Sequence, residues 1–347
     1  MKMTFNLLIA FLSAFLSTAA MSADKFNVCW SHYTGWEPWQ YAQDSGILKK
    51  WADKNGINIE LTLVNDYIES VNLYTTGQFD ACTMTNMDAL TIPAAGGVDS
   101  TALIIGDYSN GNDGIVMRGG SSVADLKGRD ILMVELSVSH YMLARALSLH
   151  GLSERDVRVV NTSDADIASA FVTQPKAVVV TWNPPLQQIR QQKGANLIFD
   201  SSKIPGEILD LMVVKTNADI RLKKALIGAW YETMKAMSSG GQAQRTAIAS
   251  MAKSAGGTEA EFTAQLTTTK MFFTPADAIK IAVDPQLVTT MDAVRKFSFD
   301  KGLFGSSAKS VDAVGIAFPN GKVLGNANNV KLRFDAALIE QIRDGKF

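Results

Sequence analysis

Apolar positions along the chain switch between two spacings, short runs of period two and longer stretches of helical period. Residues 25–30 (KFNVCW) predict a first strand. Residues 39–55 place Ala42, Ile47, Leu48 and Trp51 at helical spacing, and Gly56 stops them. Residues 57–64 (INIELTLV) alternate as a second strand. Asp66 stands where a cap is needed for a helix carrying Ile68, Val71, Leu73 and Tyr74, and residues 79–83 (FDACT) form a third strand. Strand, helix, strand, helix, strand with short links predicts a parallel sheet with helices on its faces.

The pattern recurs after Gly114. Residues 115–117 and 130–134 (DILMV) read as strands, and Ser139 as the cap of a helix carrying Leu143, Ala146 and Leu147 up to Gly151. A strand at 157–160, a helix at 166–172 and strands at 177–181 (AVVVT) and near 209–214 follow, then a helix-rich C-terminal part. With 347 residues, 47% of them hydrophobic, the chain is too long for one core, so two α/β lobes are expected.

The first residues differ from the rest. Lys2 precedes an apolar run from Leu7 to Leu16, then small residues through Ala23, the three-part layout of a secretory signal peptide. The run is shorter than the roughly 20 residues a membrane span needs. Cleavage is expected after Ala20, Ser22 or Ala23, releasing a soluble protein with no lipid-bearing cysteine at the new terminus. A net charge of -1, from 33 basic and 34 acidic residues, gives no footing for nucleic acid or an anionic membrane. Cys29 and Cys82 both fall in predicted strands of an exported chain, where a bridge can persist. Their type equally suits two small buried hydrophobes, and the reading leans to that. No metal site and no cofactor cradle is spelled out by the two cysteines and three histidines.

In open α/β sheets ligands bind beyond the carboxyl ends of the strands. Residues 30–39 (WSHYTGWEPW) hold four large aromatics just after the first strand. The third strand leads to Asn86 and Asp88. The DILMV strand leads to Glu135, Ser139 and His140, and AVVVT to Trp182 and Asn183, while Glu207 and Asp210 stand at the start of the LDLMVV strand.

The segments GQFDACTMTN, ELSVSHYMLARALSLHGL, TWNPPL and LDLMVV resemble the nitrate/taurine/sulfonate group of ABC-transporter binding proteins, over nearly the whole mature chain. NDYIES, TMTNMDALTIPAAGGVDSTALI, SNGNDGIV and NTSDAD look most like the members encoded beside urea carboxylase, to which import of guanidine or urea is ascribed. The resemblance implies a type II periplasmic binding protein fold, an α/β fold of two lobes with parallel-type mixed sheets, two crossing segments and a ligand cleft between. Mapped here, residues 1–23 are the signal peptide, 24–112 and 212–347 lobe 1, and 113–211 lobe 2. It further implies a periplasmic monomer whose partners are a small-molecule ligand and the permease subunits of an ABC importer. No nucleic acid, membrane anchor, metal or cofactor is implied.

The residues expected to bind the ligand are Trp36, Trp39, Asp66, Asn86, Asp88, Glu135, Ser139, His140, Trp182, Asn183 and Asp210. Asp210 aligns with an acidic position that meets the amine of an aminosulfonate in the resembled group. A cleft of acids and tryptophans suits a compact planar cation, taken by carboxylates in bidentate fashion with its face against an indole. Guanidinium ranks first and urea second, urea needing a further donor such as Asn183, Ser139 or His140. Taurine or another sulfonate or amine is the alternative ligand. A secreted hydrolase using strand-end carboxylates is a distant alternative. The fold also serves cytosolic pyrimidine-forming enzymes of thiamine biosynthesis, whose cysteine-rich motif this chain lacks. Each pick has a plainer role: Asp66, Asp88 and Ser139 as helix caps, Trp39 and Trp51 as helix core, Glu37 as a solvated side chain, His140 as a surface residue.

Overall fold

The computed structural model describes residues 23–347. The expected signal peptide, apart from Ala23, lies outside the described residues. The first sheet begins with β1 (Asp24–Trp30), β2 (Ile57–Leu63) and β3 (Ala81–Thr85). β1 lies between the other two and runs parallel to both. β1 ends fully buried at Val28, Cys29 and Trp30, and all of β3 is buried. Burial of whole strands, rather than of alternate residues, is what helices on both faces of a parallel sheet produce.

β4 (Ser100–Ser109) then leads out of this sheet into β5 (Asp113–Met117). The second sheet is completed by β6 (Asp130–Met133), β7 (Arg158–Asn161), β8 (Val178–Trp182) and β9 (Asn196–Asp200), in the order β7-β6-β8-β5-β9. The chain returns through β10 (Leu209–Lys215), which lies antiparallel between β3 and β4. The two crossings are stapled together: Ser109 Oγ and Ser201 Oγ are 2.7 Å apart, and Ser201 Oγ also accepts the Gly111 N–H at 2.8 Å. Beyond β10 come β11 (Thr269–Met271), β12 (Gly315–Ala317), β13 (Val323–Leu324) and β14 (Val330–Phe334). They extend the first sheet to the order β13-β12-β14-β4-β10-β3-β1-β2, with β11 also paired to β4.

Several elements differ from the sequence expectation. The helix expected over 39–55 is two helices, Glu37–Asp44 and Ile47–Lys54, broken at Gly46, whose φ of 80° a side chain would resist. The helix expected to be capped by Ser139 is Val138–Leu149, capped by Ser137, whose Oγ accepts the Ser139 N–H. β4, β9 and β11–β14 were not anticipated. Glu37 is fully buried rather than solvated, because His32 Nδ1 lies 2.7 Å from its carboxylate. Cys29 and Cys82 form a disulfide rather than two free thiols. They stand directly opposite each other on β1 and β3, so the strand register brings the sulfurs together.

The long helix Ile220–Ser238 packs on the first lobe through a glycine. A Cβ at Gly228 would fall 2.2 Å from the Trp51 ring, and Trp51 Nε1 donates to Glu232 at 2.8 Å. No helix among the described residues is long and apolar enough to cross a membrane.

Candidate ligand-binding cleft

The floor of the cleft is laid across three strands of the first sheet. Asp210 on β10 stands opposite Thr85 of β3 on one side and Asp107 of β4 on the other. Directly opposed residues project to one face of a sheet, so the three side chains form a row. The β4–β10 register shifts beside Asp210, a bulge that leaves Gly106 unpaired and re-aims Asp107. Gly106 packs against Trp230, whose ring a Cβ would meet at 2.8 Å. Asp113 enters from the first residue of β5, just past the crossing, and its N–H donates to Ser109 Oγ at 3.1 Å.

Four aromatic rings enclose this row. The loop after β1 brings Tyr33, whose hydroxyl donates to Asp107 Oδ1 at 3.2 Å, and Trp36, whose ring lies 5.1 Å from that of Tyr33. Gly35 lets the loop come this close: a Cβ there would be 2.2 Å from Asp107 Oδ2. Tyr67, at the start of the helix Tyr67–Thr75, lies 5.5 Å from Trp36 and 5.7 Å from Trp182. Its hydroxyl donates to Asp88 Oδ2 at 2.6 Å and accepts the Thr85 N–H at 3.0 Å, which fixes the ring. Trp182 comes from the end of β8 in the other lobe, and its Nε1 donates across the cleft to the His32 carbonyl at 3.4 Å.

The four rings, with Thr85, Asp113, Val138, Ile208 and Asp210, line a cavity. Its walls bound about 260 Å³ of atom-free space including the mouth, but the centre of a water molecule can move through only about 10 Å³ of it. That smaller volume is about the room one water molecule needs, far below the several hundred Å³ of a drug-sized ligand's pocket.

None of the nine residues lining the cavity is basic, yet two are acidic. Asp107, Asp113 and Asp210 are each no more than 2% exposed. Burial raises the Asp113 carboxyl to about 7. Burial raises Asp210 well above the usual carboxylate range, and the charges of Asp107 and Asp113 add to the effect. Asp107 is raised likewise by burial, against hydrogen bonds from Asp210 and Tyr33. One oxygen of each carboxyl has no hydrogen-bond partner within the protein. Buried acceptors without donors are costly, so each of these carboxyls keeps an oxygen whose hydrogen-bonding capacity the protein itself does not meet. No group of three or more His, Cys, Asp or Glu side chains among the described residues has the geometry to hold a metal ion.

The structure brings Trp36, Trp182 and Asp210 together on the cavity wall. Asp88 stands one layer behind, holding Tyr67 and Thr85 Oγ1, and burial raises its carboxyl to about 6. Asn86 braces β10, accepting the Leu209 N–H and donating to the Glu207 carbonyl. Asn183 is bonded to Asn112 at the crossing, and Ser139 is buried with its hydroxyl unpartnered. Trp39 is core, 5.2 Å from Trp230, and Asp66 is an exposed cap that accepts the Glu69 N–H. Glu135 is exposed, because the chain turns away after β6 at Leu136, which has a φ of 63°. His140 is buried, contrary to a surface role. Its Nε2 faces Glu154, which also pairs with Lys301 of the other lobe. Sequence reasoning missed Tyr33, Tyr67, Thr85, Asp107 and Asp113. Tyr33 lay within the aromatic run already singled out, whereas Asp107 lies on a strand that went unrecognised.

A search of curated proteins finds no sequence match. Solved structures match in fold. The alkanesulfonate-binding protein of Xanthomonas axonopodis pv. citri bound to MOPS superposes with a TM-score of 0.68 at 15% identity, covering 83% of this chain and 96% of that one. The periplasmic aliphatic sulphonate binding protein of Escherichia coli gives 0.67 at 17% identity, with 83% and 96% covered. The periplasmic nitrate-binding protein of Synechocystis PCC 6803 gives 0.60 at 11% identity, with 93% and 98% covered. The fold is that of periplasmic binding proteins, two α/β lobes with a cleft between them. The description NMT1/THI5 like fits residues 41–236, more than half the chain, and the protein belongs to that family.

Proposed function

We propose that this chain is the solute-binding component of an ABC importer, exported to the periplasm, and that its ligand is a compact planar cation of the guanidinium type. One observation carries the reading: two buried carboxylates, Asp113 and Asp210, backed by the buried Asp107, meet four aromatic rings in a cavity whose walls contain no basic residue. Guanidinium presents only N–H donors, its charge answers the carboxylates, and its face suits the rings. The lobe division proposed is 24–112 with 212–347, against 113–211, the first sheet packing into one hydrophobic core and the second into one on each face. Binding draws the lobes together, Trp182 arriving from one and Trp36 and Tyr67 from the other. The proposed role is capture and delivery, with no chemical step on the solute.

Urea is the second reading, favoured by the unpartnered Trp36 N–H, a donor that a carbonyl oxygen would use. It would leave the carboxylates without counter-charge. The sulfonate alternative sets an anion against Asp113 and Asp210 on the wall of a narrow cavity. Calorimetric titration of refolded protein with guanidinium chloride, urea and taurine, chloride being matched with NaCl, tests the reading. Saturable one-site binding of guanidinium, tighter than of urea, is expected. Binding of taurine without guanidinium would overturn it.

A further inference from the structure

Resting on the reading that the ligand is a cation, we propose that the Asp107–Asp210 pair shares a proton which the ligand displaces, so that capture releases a proton and weakens in acid. The register places the two carboxyl groups directly opposite on adjacent strands, within hydrogen-bonding reach of each other. Two carboxylates so close cannot both be ionised in a dry site, and a single proton turns their repulsion into an O–H···O bond. The surroundings offer no other relief. The titratable groups facing the pair are Tyr33, from the loop after β1, and Asp113, from β5. β3 adds the uncharged Thr85, and the segment before β5 adds the uncharged Asn112. Tyr33 is itself raised well above its ordinary range by burial and by the three acids, so it donates its hydrogen and does not supply a charge.

A guanidinium ion seated against Asp210 brings the missing positive charge. Its N–H groups replace the shared O–H as donors, and the displaced proton leaves to solvent. Charge balances: one cation enters the site and one proton leaves it. Guanidinium stays protonated throughout the accessible pH range, as arginine does. Any pH dependence therefore belongs to the protein.

The experiment is calorimetric titration with guanidinium chloride near pH 8, above the value of about 7 at which Asp113 titrates, in two buffers that differ in ionisation enthalpy, together with the affinity measured between pH 7.5 and 9. About one proton released per guanidinium bound is expected, with affinity falling towards tenfold per pH unit as pH is lowered. Release should drop in Asp107→Asn, where the amide donates to Asp210 permanently, and persist in Asp113→Asn. The pH profile of the unmutated protein tests the idea even if a variant fails to fold. Guanidinium binding with no proton released and a flat pH profile would overturn the inference while leaving the cation reading intact. Release that persists in Asp107→Asn and vanishes in Asp113→Asn would overturn the assignment to the pair. Absence of guanidinium binding would overturn the cation reading itself.

Discussion

Replacing Asp113 by Asn should make the ligand-free protein more stable at neutral pH and a weaker binder. In the fold this carboxyl titrates near 7, against 3.8 when unfolded, and burial is the largest cause. A carboxyl raised in this way contributes stability that is fully present below pH 3.8 and is lost as pH rises through about 7. Each pH unit between those values is worth about 1.4 kcal/mol, so ionising Asp113 at pH 8 costs the fold on the order of 4 kcal/mol. The Asn amide has the same shape, never ionises, and keeps an oxygen for Ser109. The variant should therefore match the parent near pH 4 and exceed it at pH 8, with a gap in Tm of roughly 5–10 °C. Urea and guanidinium are candidate ligands and cannot serve as denaturants here. The assay is thermal unfolding by circular dichroism from pH 4 to 8, with refolded, ligand-free protein. Guanidinium affinity should fall in the same variant, because a desolvated cation loses a counter-charge. A parent whose Tm holds steady from pH 5 to 8, or a variant that tracks it, would refute the claim that Asp113 is held protonated by burial.

Other substitutions separate the cleft from its surroundings. Trp182→Leu removes the ring supplied by the second lobe and should weaken guanidinium binding about 3- to 30-fold, read by calorimetry; an unchanged affinity would remove Trp182 from the site. Glu135→Ala should leave that affinity within about twofold, the size of an ordinary surface change, since the side chain is exposed and off the cavity wall. Lys301→Ala breaks the pairing with Glu154 across the lobes, both side chains being 24% exposed. Up to about fivefold weaker binding is expected, in line with a partly exposed ion pair, and the difference should shrink in 1 M NaCl as the charges are screened; equal affinities at low salt would count against a latch. Replacing both Cys29 and Cys82 by Ser opens a link across 53 residues and should cost about 4 kcal/mol of stability by loop entropy, seen as a lower Tm than that of the oxidised parent.

The sequence made legible those elements whose signal is local. β1, β6 and β8 announce themselves by short apolar runs closed by turns or helices and β2 by its alternation, and Asp66 was readable as a cap because its acceptor lies three residues from the donor. β4 was not, because TALII carries no alternation and the π-helical turn Leu90–Ala94 before it has no strand boundary. The small strands β11–β14 exist only through distant partners on the sheet edge. The site inherited that blindness. Trp36, Trp182 and Asp210 sit beside recognised strands and were found, whereas Asp107 and Asp113 flank a crossing that local pattern does not mark. Glu135 misled for the opposite reason: it does follow a strand, but the left-handed turn at Leu136 carries it to the surface. The disulfide likewise depends on a register that no single strand reveals.

On the cation reading proposed above, the sign of the charge accepted is set by side chains rather than by the backbone. A helix N-terminus favours anions, and here the helix Val138–Leu149 points its first residue into the cavity. Its first turn is already answered from within: Ser137 Oγ takes the Ser139 N–H, and the Val138 N–H faces the Asp88 carboxylate across the cleft. With that N–H turned to the protein's own acid, an incoming anion would find no free N–H there and would meet Asp113 and Asp210 on the cavity wall. A cation meets the reverse, carboxylates in want of donors and rings in want of charge. Asp88 is doubly placed, since the carboxylate that screens the helix also holds Tyr67 against Trp182. On the cation reading proposed above, screening of the helix end and assembly of the aromatic wall thus depend on the same side chain.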